Sequence, residues 1–153
     1  MRLTKRFIVK SIDKLSLSNP LRYERYYLND NLRIQSKNNI FEKEILNDEN
    51  IILEKKLISE EEFNQLKKEA SVKIIRDSYL YLNDDRISIK VYHADYKGLN
   101  RVEVKFSSRE EMVNYEKEKW MGKEITSSPL AFDKYLSKLT RKEFLLEIQK
   151  YEN

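Results

Sequence analysis

The stretch GLNRVEVKFSSREEMVNYEKEKWMGKEIT, residues 98–126, decides how this chain folds. Its residues 102–106 (VEVKF) alternate between apolar and charged, which predicts a β-strand because successive strand side chains point to opposite faces. A helix start follows directly. Glu103 and Lys105 therefore share one face of a strand. On the inner face of a curved sheet this pair would form part of a ligand site, and on the outer face it would be solvated surface.

The composition excludes several classes of protein. The net charge of +4 comes from 30 basic and 26 acidic residues, so it does not by itself indicate nucleic acid, and we do not expect a nucleic-acid partner. The absence of cysteine excludes disulfides and thiolate sites, and a single histidine excludes a multi-histidine metal site. No apolar run approaches the roughly 18 residues of a membrane span, and no signal peptide is recognisable. We expect one cytoplasmic domain over residues 1–153, monomeric or homodimeric, without a membrane partner.

Apolar alternation predicts eight β-strands, separated in several places by Asn/Asp-rich turns. These strands cover residues 3–10, 22–28, 32–36, 40–46, 51–57, 71–81, 86–93 and 101–106. Ser or Thr followed three residues later by Glu predicts helix starts at Ser59, Ser108 and Thr140, and a further helix over 129–139. This pattern favours an α+β fold: an antiparallel eight-stranded barrel with helices outside and at the C-terminus.

Three segments resemble the CYTH domain, the superfamily of triphosphate tunnel metalloenzymes. Residues 5–9 (KRFIV) are similar to the family's opening strand, which ends in Lys-Phe-Leu-Val. Residues 98–106 look like its Gly-Leu-x-x-Val-Glu-Val-Glu-Phe, and residues 120–126 (WMGKEIT) resemble Trp-x-Gly-x-Glu-Val-Thr. The resemblance implies a β-barrel tunnel that binds a triphosphate or nucleotide through basic residues and carboxylate-held divalent metal.

The chain departs from the family at the carboxylates that line the tunnel. The Glu-x-Glu-x-Lys signature of the first strand falls on Arg2, Thr4 and Arg6. The paired acids of another strand fall on Ser88 and Lys90, and Lys105 replaces the second Glu of the Val-Glu-Val-Glu strand. Only Glu103 and Glu54 remain as weak candidates for metal ligands. Arg33 and Arg76 match basic positions that contact phosphate in the family.

The chemistry of these replacements predicts an anion site without metal. Mg²⁺ and Mn²⁺ prefer several carboxylate oxygens, and cations at ligand positions repel them. Arginine instead contacts phosphate oxygens directly and in pairs. We therefore expect no cofactor and a phosphate-rich small molecule as partner. The predicted ligand-binding residues are Arg2, Arg6, Arg33, Lys56, Arg76, Lys90 and Lys105.

Two other functions stay open on the sequence. A triphosphatase or nucleotidyl cyclase with a rearranged Mg²⁺ or Mn²⁺ site would need further carboxylates, such as Glu42, Glu44 or Glu54. A protein-interaction module on an inherited barrel would present an apolar patch on the C-terminal helices. The charged positions would otherwise be the solvated faces of strands, which is what such alternation usually means.

Overall fold

A computed structural model describes residues 3–152 and contains nine β-strands. The strands are β1 (Thr4–Val9), β2 (Leu21–Asn29), β3 (Leu32–Lys37), β4 (Ile40–Leu46), β5 (Ile52–Leu57), β6 (Val72–Tyr81), β7 (Asp84–His93), β8 (Asn100–Lys105) and β9 (Met121–Glu124). The eight strands expected from the sequence are all present. The ninth, β9, was not predicted. Its four residues are too short to show alternation.

Four short helices follow or interrupt the sheet. They are α1 (Glu60–Leu66), α2 (Arg109–Asn114), α3 (Asp133–Leu136) and α4 (Arg141–Gln149). Side-chain oxygens of Ser59, Ser108 and Thr140 accept backbone N–H bonds at the starts of α1, α2 and α4, so the three predicted starts are confirmed. The helix predicted over 129–139 is a 3₁₀ turn, Pro129–Ala131, followed by α3. Within residues 3–152, no helix has the length and apolar character needed to cross a membrane.

The strands form one antiparallel sheet in the order β5-β4-β3-β2-β6-β7-β8-β1-β9. The α+β antiparallel class is therefore confirmed, but the sheet has nine strands and is not closed into a barrel. β5 and β9 are its two edges, and each pairs with a neighbour on one side only. Strand β1 lies far from β2, its successor in sequence, and pairs instead with β8 and β9.

Three apolar clusters hold the curved sheet and leave one part of its inner face open. Phe7, Val102 and Met121 belong to a cluster on the outer face of β1, β7 and β8. Phe63 of α1 packs on Tyr26 and Ile34 outside β2 and β3. The third cluster, which includes residues of α3 and α4, fills one end of the inner face. The other part of that face lines a cavity.

Candidate functional site

The charged residues of β8 lie on the inner face of the sheet. Arg101, Glu103 and Lys105 all line a cavity of about 870 Å³. The intervening Val102 and Val104 are buried in the outer cluster. The alternation seen in the sequence therefore separates a charged inner face from an apolar outer face, which is the arrangement that a ligand site requires.

Positive charge predominates among the side chains that line the cavity. Among the described residues the cationic ones number seven: Arg6, Arg25, Arg33, Arg76, Lys90, Arg101 and Lys105. The lining carboxylates are three: Asp85, Glu103 and Asp133. Five of the seven residues predicted from the sequence thus come together here. Arg2 lies outside the described residues.

Lys56 and Glu54 do not line the cavity. In the pairing of β4 with β5, Glu44 lies opposite Lys55, and Ile45 lies opposite Glu54. Residues directly opposite each other share a face, so Lys55 faces inward with Glu44, and Lys56 and Glu54 face outward. The Lys55 ammonium lies 3.4 Å from a carboxylate oxygen of Glu44. The prediction placed Lys56 on the inner face, but Lys55, one residue earlier, occupies that face. A difference of one residue along a strand reverses the face on which a side chain lies.

Asp133 joins three arginines at the inner end of the cavity. Its carboxylate oxygen Oδ2 accepts hydrogen bonds from Arg25 Nη1 at 2.8 Å and from Arg76 Nε at 2.9 Å. Its other oxygen, Oδ1, accepts from the Tyr92 hydroxyl and from Arg101 Nη2, the latter at 3.3 Å. We call these five residues the Asp133 cluster. Burial alone would raise the pKa of Asp133, but Arg76, Arg101 and Arg25 hold it well below its ordinary value.

A second ion pair joins β1 to β8. Arg6 Nη2 donates to Glu103 Oε2 at 2.8 Å, and Arg6 Nη1 donates to Thr4 Oγ1 at 2.8 Å. The Arg6 guanidinium also lies 4.1 Å from the ring centroid of Phe132. Burial raises the pKa of Glu103, but Lys90, Arg6 and Arg101 outweigh it and lower the pKa to about 2. Glu103 is therefore a carboxylate fixed by an arginine.

Arg25 on β2 and Arg33 on β3 are held by hydrogen bonds to side chains of β2, β3 and β4. Arg33 Nε donates to Glu44 Oε1 at 2.8 Å, and Arg33 Nη1 donates to the Tyr27 hydroxyl at 3.2 Å. Arg25 Nε donates to Gln35 Oε1 at 2.8 Å. The inner faces of these strands therefore fix the orientation of each guanidinium. A preorientated guanidinium loses little conformational freedom when it binds an anion.

Lys90 differs from the arginines because it has no carboxylate partner. Its ammonium donates a hydrogen bond to Ser88 Oγ, and among residues 3–152 no carboxylate oxygen lies within 4 Å of it. Burial lowers the pKa of Lys90 to about 7; Glu103 opposes this shift, and Arg76 and Arg101 add to it. Lys105, nearer the rim of the cavity, also lacks an ion pair with any described residue. We call Lys90 and Lys105 the lysine wall.

Comparisons with known proteins bear on the fold. No protein-family model matches the chain, and no curated protein matches it significantly. Two crystal structures of one protein, NE1496, do match. One has a TM-score of 0.75 at 18% identity and covers 92% of this chain and 99% of that one. The other, which describes NE1496 as an inorganic triphosphatase, has a TM-score of 0.72 at 19% identity and covers 88% and 95%.

The chain has the triphosphate-tunnel fold. This confirms the fold that the resemblance implies and no more, because identities below 20% carry the fold and not the activity. The sheet of this chain is not closed, because its edge strands β5 and β9 do not pair with each other.

The triphosphate-tunnel fold implies a divalent metal, and the residues of this cavity do not fit one. Mg²⁺ and Mn²⁺ need several oxygen ligands. Glu103 is bound to Arg6, and Asp133 is bound to three arginines and Tyr92. In the described part of the chain, no group of three or more His, Asp or Glu side chains could hold a metal ion. Glu103 and Asp133 form ion pairs with the arginines instead.

Sequence reasoning missed three members of the Asp133 cluster that line the cavity. Arg101 precedes Glu103 by two residues on β8, and Arg25 follows Tyr23 by two on β2, so period-2 counting could have placed both inside. Asp133 left no such signal. It lies at the first residue of α3, where an acidic residue is common for reasons unrelated to ligands.

Proposed function

We propose that the cavity binds a phosphate-rich small anion directly through arginine and lysine side chains, without a divalent metal. One observation carries this proposal: among residues 3–152, seven cationic side chains line one cavity, and three carboxylates accompany them. Like charges enclosed together repel one another strongly, because the partly buried site has a lower dielectric than water. A bound polyanion relieves this repulsion, and guanidinium groups recognise phosphate oxygens in pairs.

This function differs from the metal-dependent catalysis that the resemblance implies. On the resemblance, the positions at which carboxylates would hold metal are Arg2, Thr4, Ser88, Lys90 and Lys105, and Arg6 stands at the family's lysine. The proposed role is binding, sequestration or sensing of the anion, without two-metal hydrolysis. Cationic side chains at these positions supply the positive charge that a metal ion would otherwise bring to the phosphates.

Calorimetric titration with inorganic tripolyphosphate tests the proposal. We expect micromolar or tighter binding in EDTA, and no gain in affinity when excess Mg²⁺ replaces EDTA. Lys56→Ala, which removes a cation from the outer face of β5, is the matched control and should bind as the wild type does. Loss of binding in EDTA would show that a metal site exists and that the proposal is wrong. Absence of binding in both conditions would also contradict it.

A second candidate is hydrolysis of triphosphate, which is favoured by the description of NE1496 as an inorganic triphosphatase. Under this alternative, phosphate release from tripolyphosphate would require Mg²⁺ or Mn²⁺ and would be abolished in Glu103→Ala. Glu103 is the carboxylate on β8 that faces the cavity. No release with either metal, under conditions in which the wild type binds tripolyphosphate, would exclude this candidate.

A further inference from the structure

The two edges of the sheet differ in how their backbone is protected from other chains. β9 has only four residues, its pairing with β1 shifts in register between Phe7 and Val9, and Lys117 Nζ donates to the Gly122 carbonyl at 2.9 Å. Short length, irregular pairing and covering groups are the usual protection of an edge strand. β5 has six residues, contains neither proline nor glycine, and is exposed along its whole length. β5 is therefore the edge to which a further strand can be added.

The pairing with β4 shows which backbone groups of β5 point outward from the sheet. Just after β5, the Ile58 N–H donates to the Phe41 carbonyl at 3.0 Å. Hydrogen-bonded and non-hydrogen-bonded pairs alternate along an antiparallel ladder. The even-numbered residues from Glu54 onward therefore bond to β4. The N–H and C=O groups of Lys55 and Leu57 point away from β4, toward the open edge.

This alternation limits how a second copy of the chain can pair with β5. When two identical strands pair antiparallel around a two-fold axis, one residue lies on the axis opposite its own copy. The outward groups of one copy must meet those of the other, so odd-numbered residues lie opposite odd-numbered residues. Only an axis at Glu54 or at Lys55, the two central residues of β5, keeps nearly the whole strand paired.

Charge decides between these two registers. An axis at Glu54 places two carboxylates opposite each other and places Leu53 opposite Lys55. An axis at Lys55 instead places Glu54 opposite Lys56 of the second copy, twice by symmetry, and places Leu53 opposite Leu57. The two leucines are 64% and 70% exposed in the single chain. The register with Lys55 on the axis therefore pairs opposite charges and covers apolar surface at the same time.

The two Lys55 side chains that meet on the axis are balanced within their own chains. The Lys55 ammonium lies 3.4 Å from a carboxylate oxygen of Glu44 and 3.9 Å from one of Glu42. Lysines on an edge strand usually discourage pairing with other strands. Here Lys56 discourages any strand that does not bring a carboxylate opposite it, and the same strand of a second copy brings Glu54.

We infer that β5 is a homodimerisation edge, at which two copies of the chain pair antiparallel around a two-fold axis at Lys55. This inference goes beyond the proposed function and does not depend on it. The two sheets become one continuous sheet, with Glu54 and Lys56 of both copies on its outer face. An interface made by one pair of strands is small, so we expect a dissociation constant in the micromolar range.

Charge reversal on β5 tests the register, with sedimentation equilibrium of the full chain as the measurement. Glu54→Lys places two lysines opposite each other, and Lys56→Glu places two glutamates opposite each other. Each variant should therefore dimerise at least about tenfold more weakly than the wild type. The double variant exchanges the two charges and should dimerise as the wild type does. Lys142→Glu, the same change of charge at an exposed position of α4, is the matched control and should also dimerise normally.

Two further measurements locate the interface. An equimolar mixture of Glu54→Lys and Lys56→Glu should form dimers that neither variant forms alone, because every contact between the copies then joins lysine to glutamate. In hydrogen exchange followed by NMR, the N–H groups of Lys55 and Leu57 should become protected as the wild-type concentration rises. The Lys56 N–H, which already bonds to β4, should change little.

The contrary results each overturn the inference. A wild type that is still monomeric at about 1 mM has no dimer in the expected range. A dimer that neither charge reversal weakens lies on another surface, and a double variant that stays monomeric excludes this register. Assemblies larger than a dimer would indicate head-to-tail contact between β5 and β9 of successive copies. Glu54 and Lys56 are exposed on the outer face, so their variants should fold as the wild type does.

Discussion

The Asp133 cluster and the lysine wall line the same cavity, yet their charges are balanced in opposite ways. In the Asp133 cluster, three arginines share one carboxylate that is almost fully buried. In the lysine wall, Lys90 and Lys105 have no carboxylate partner among the described residues. The excess of cations over carboxylates is therefore divided unequally between the two parts of the cavity. The arginines are fixed in place by a shared carboxylate, whereas no carboxylate of the described residues pairs with Lys90 or Lys105.

Removal of Asp133 should have the largest effect, because the Asp133 cluster depends on it. Asp133→Ala leaves three guanidiniums without their shared carboxylate, of which those of Arg76 and Arg101 are buried and that of Arg25 is partly buried. Breaking a buried ion pair by deleting one partner costs about 3–5 kcal/mol, and urea denaturation should show a loss of this size in the free energy of unfolding. Asp30→Ala removes a carboxylate that is exposed and 3.3 Å from Lys138; it should cost less than about 1 kcal/mol. Equal stability of the two variants would show that the cluster does not stabilise the fold.

Loss of one arginine of the Asp133 cluster should mainly reduce anion affinity. Arg76→Ala leaves Asp133 with Arg25, Arg101 and Tyr92, so the fold should persist. A charged hydrogen bond contributes about 1.5–3 kcal/mol, so tripolyphosphate should bind at least about tenfold more weakly. Arg33→Ala should behave similarly. Calorimetry measures both, with Arg141→Ala on the exposed surface of α4 as the control. Unchanged affinity in Arg76→Ala would remove this arginine from the site.

The lysine wall should make binding depend on pH. The pKa of Lys90 is lowered to about 7 by burial, with Arg76 and Arg101 adding to the shift. A bound anion favours the ammonium form, so affinity should fall as the pH rises from 6 to 8, by up to about tenfold. Lys90→Met should remove this part of the pH dependence. Protonation of the ligand itself changes the affinity of the wild type and of Lys90→Met equally, so it cancels when their pH profiles are compared. Identical pH profiles would contradict the role of Lys90.

The same shift predicts the pH dependence of stability without ligand. Between about pH 7 and the ordinary lysine pKa of 10.5, the unfolded chain keeps the Lys90 proton that the folded chain has lost. The unfolded state then binds more protons, so the contribution of Lys90 to the free energy of unfolding rises with pH over this window. Urea denaturation at several pH values should show this rise, and Lys90→Met should lack it. A rise of equal size in the variant would assign it to other groups.

The smallest effects should separate the two faces of the sheet. Lys105 and Lys56 are both exposed lysines on strands, but only Lys105 lines the cavity. An exposed charge contributes up to about 1 kcal/mol, so Lys105→Ala should weaken tripolyphosphate binding by roughly twofold to fivefold. Lys56→Ala should leave it unchanged. Equal effects of the two variants would mean that general surface charge, and not the inner face, attracts the anion.

The sequence predicted the strands well because their alternation and Asn/Asp turns are local signals. All eight predicted strands exist, and β1, β3, β6, β7 and β8 carry the expected residues on their inner faces. The face of β5 was wrong because its residues ILEKKL do not alternate between apolar and charged, so the sequence of β5 does not mark which lysine shares the inner face with Glu44.

Neither the opening of the sheet nor the role of Asp133 could be predicted from local patterns. The eight predicted strands could equally close into a barrel, and closure depends on whether β5 meets the other edge. Asp133 becomes the centre of a cluster only because α3 fills the inner end of the cavity, a contact between segments more than 100 residues apart in the case of Arg25. Tertiary contacts of this range are not encoded in spacing along the chain.

The position of β1 in the sheet fixes the order in which the cavity can be completed during synthesis. Arg6 pairs with Glu103, 97 residues later, and its backbone N–H donates to Thr126, 120 residues later. β1 therefore emerges from the ribosome long before either partner exists, while β2 to β7 can already form their hairpin pairings. Contacts between distant segments form late because closing a long loop costs entropy. Under the proposed function, the part of the cavity that Arg6 lines is complete only after β1 has paired with β8, so an anion held by Arg6 stabilises the finished sheet.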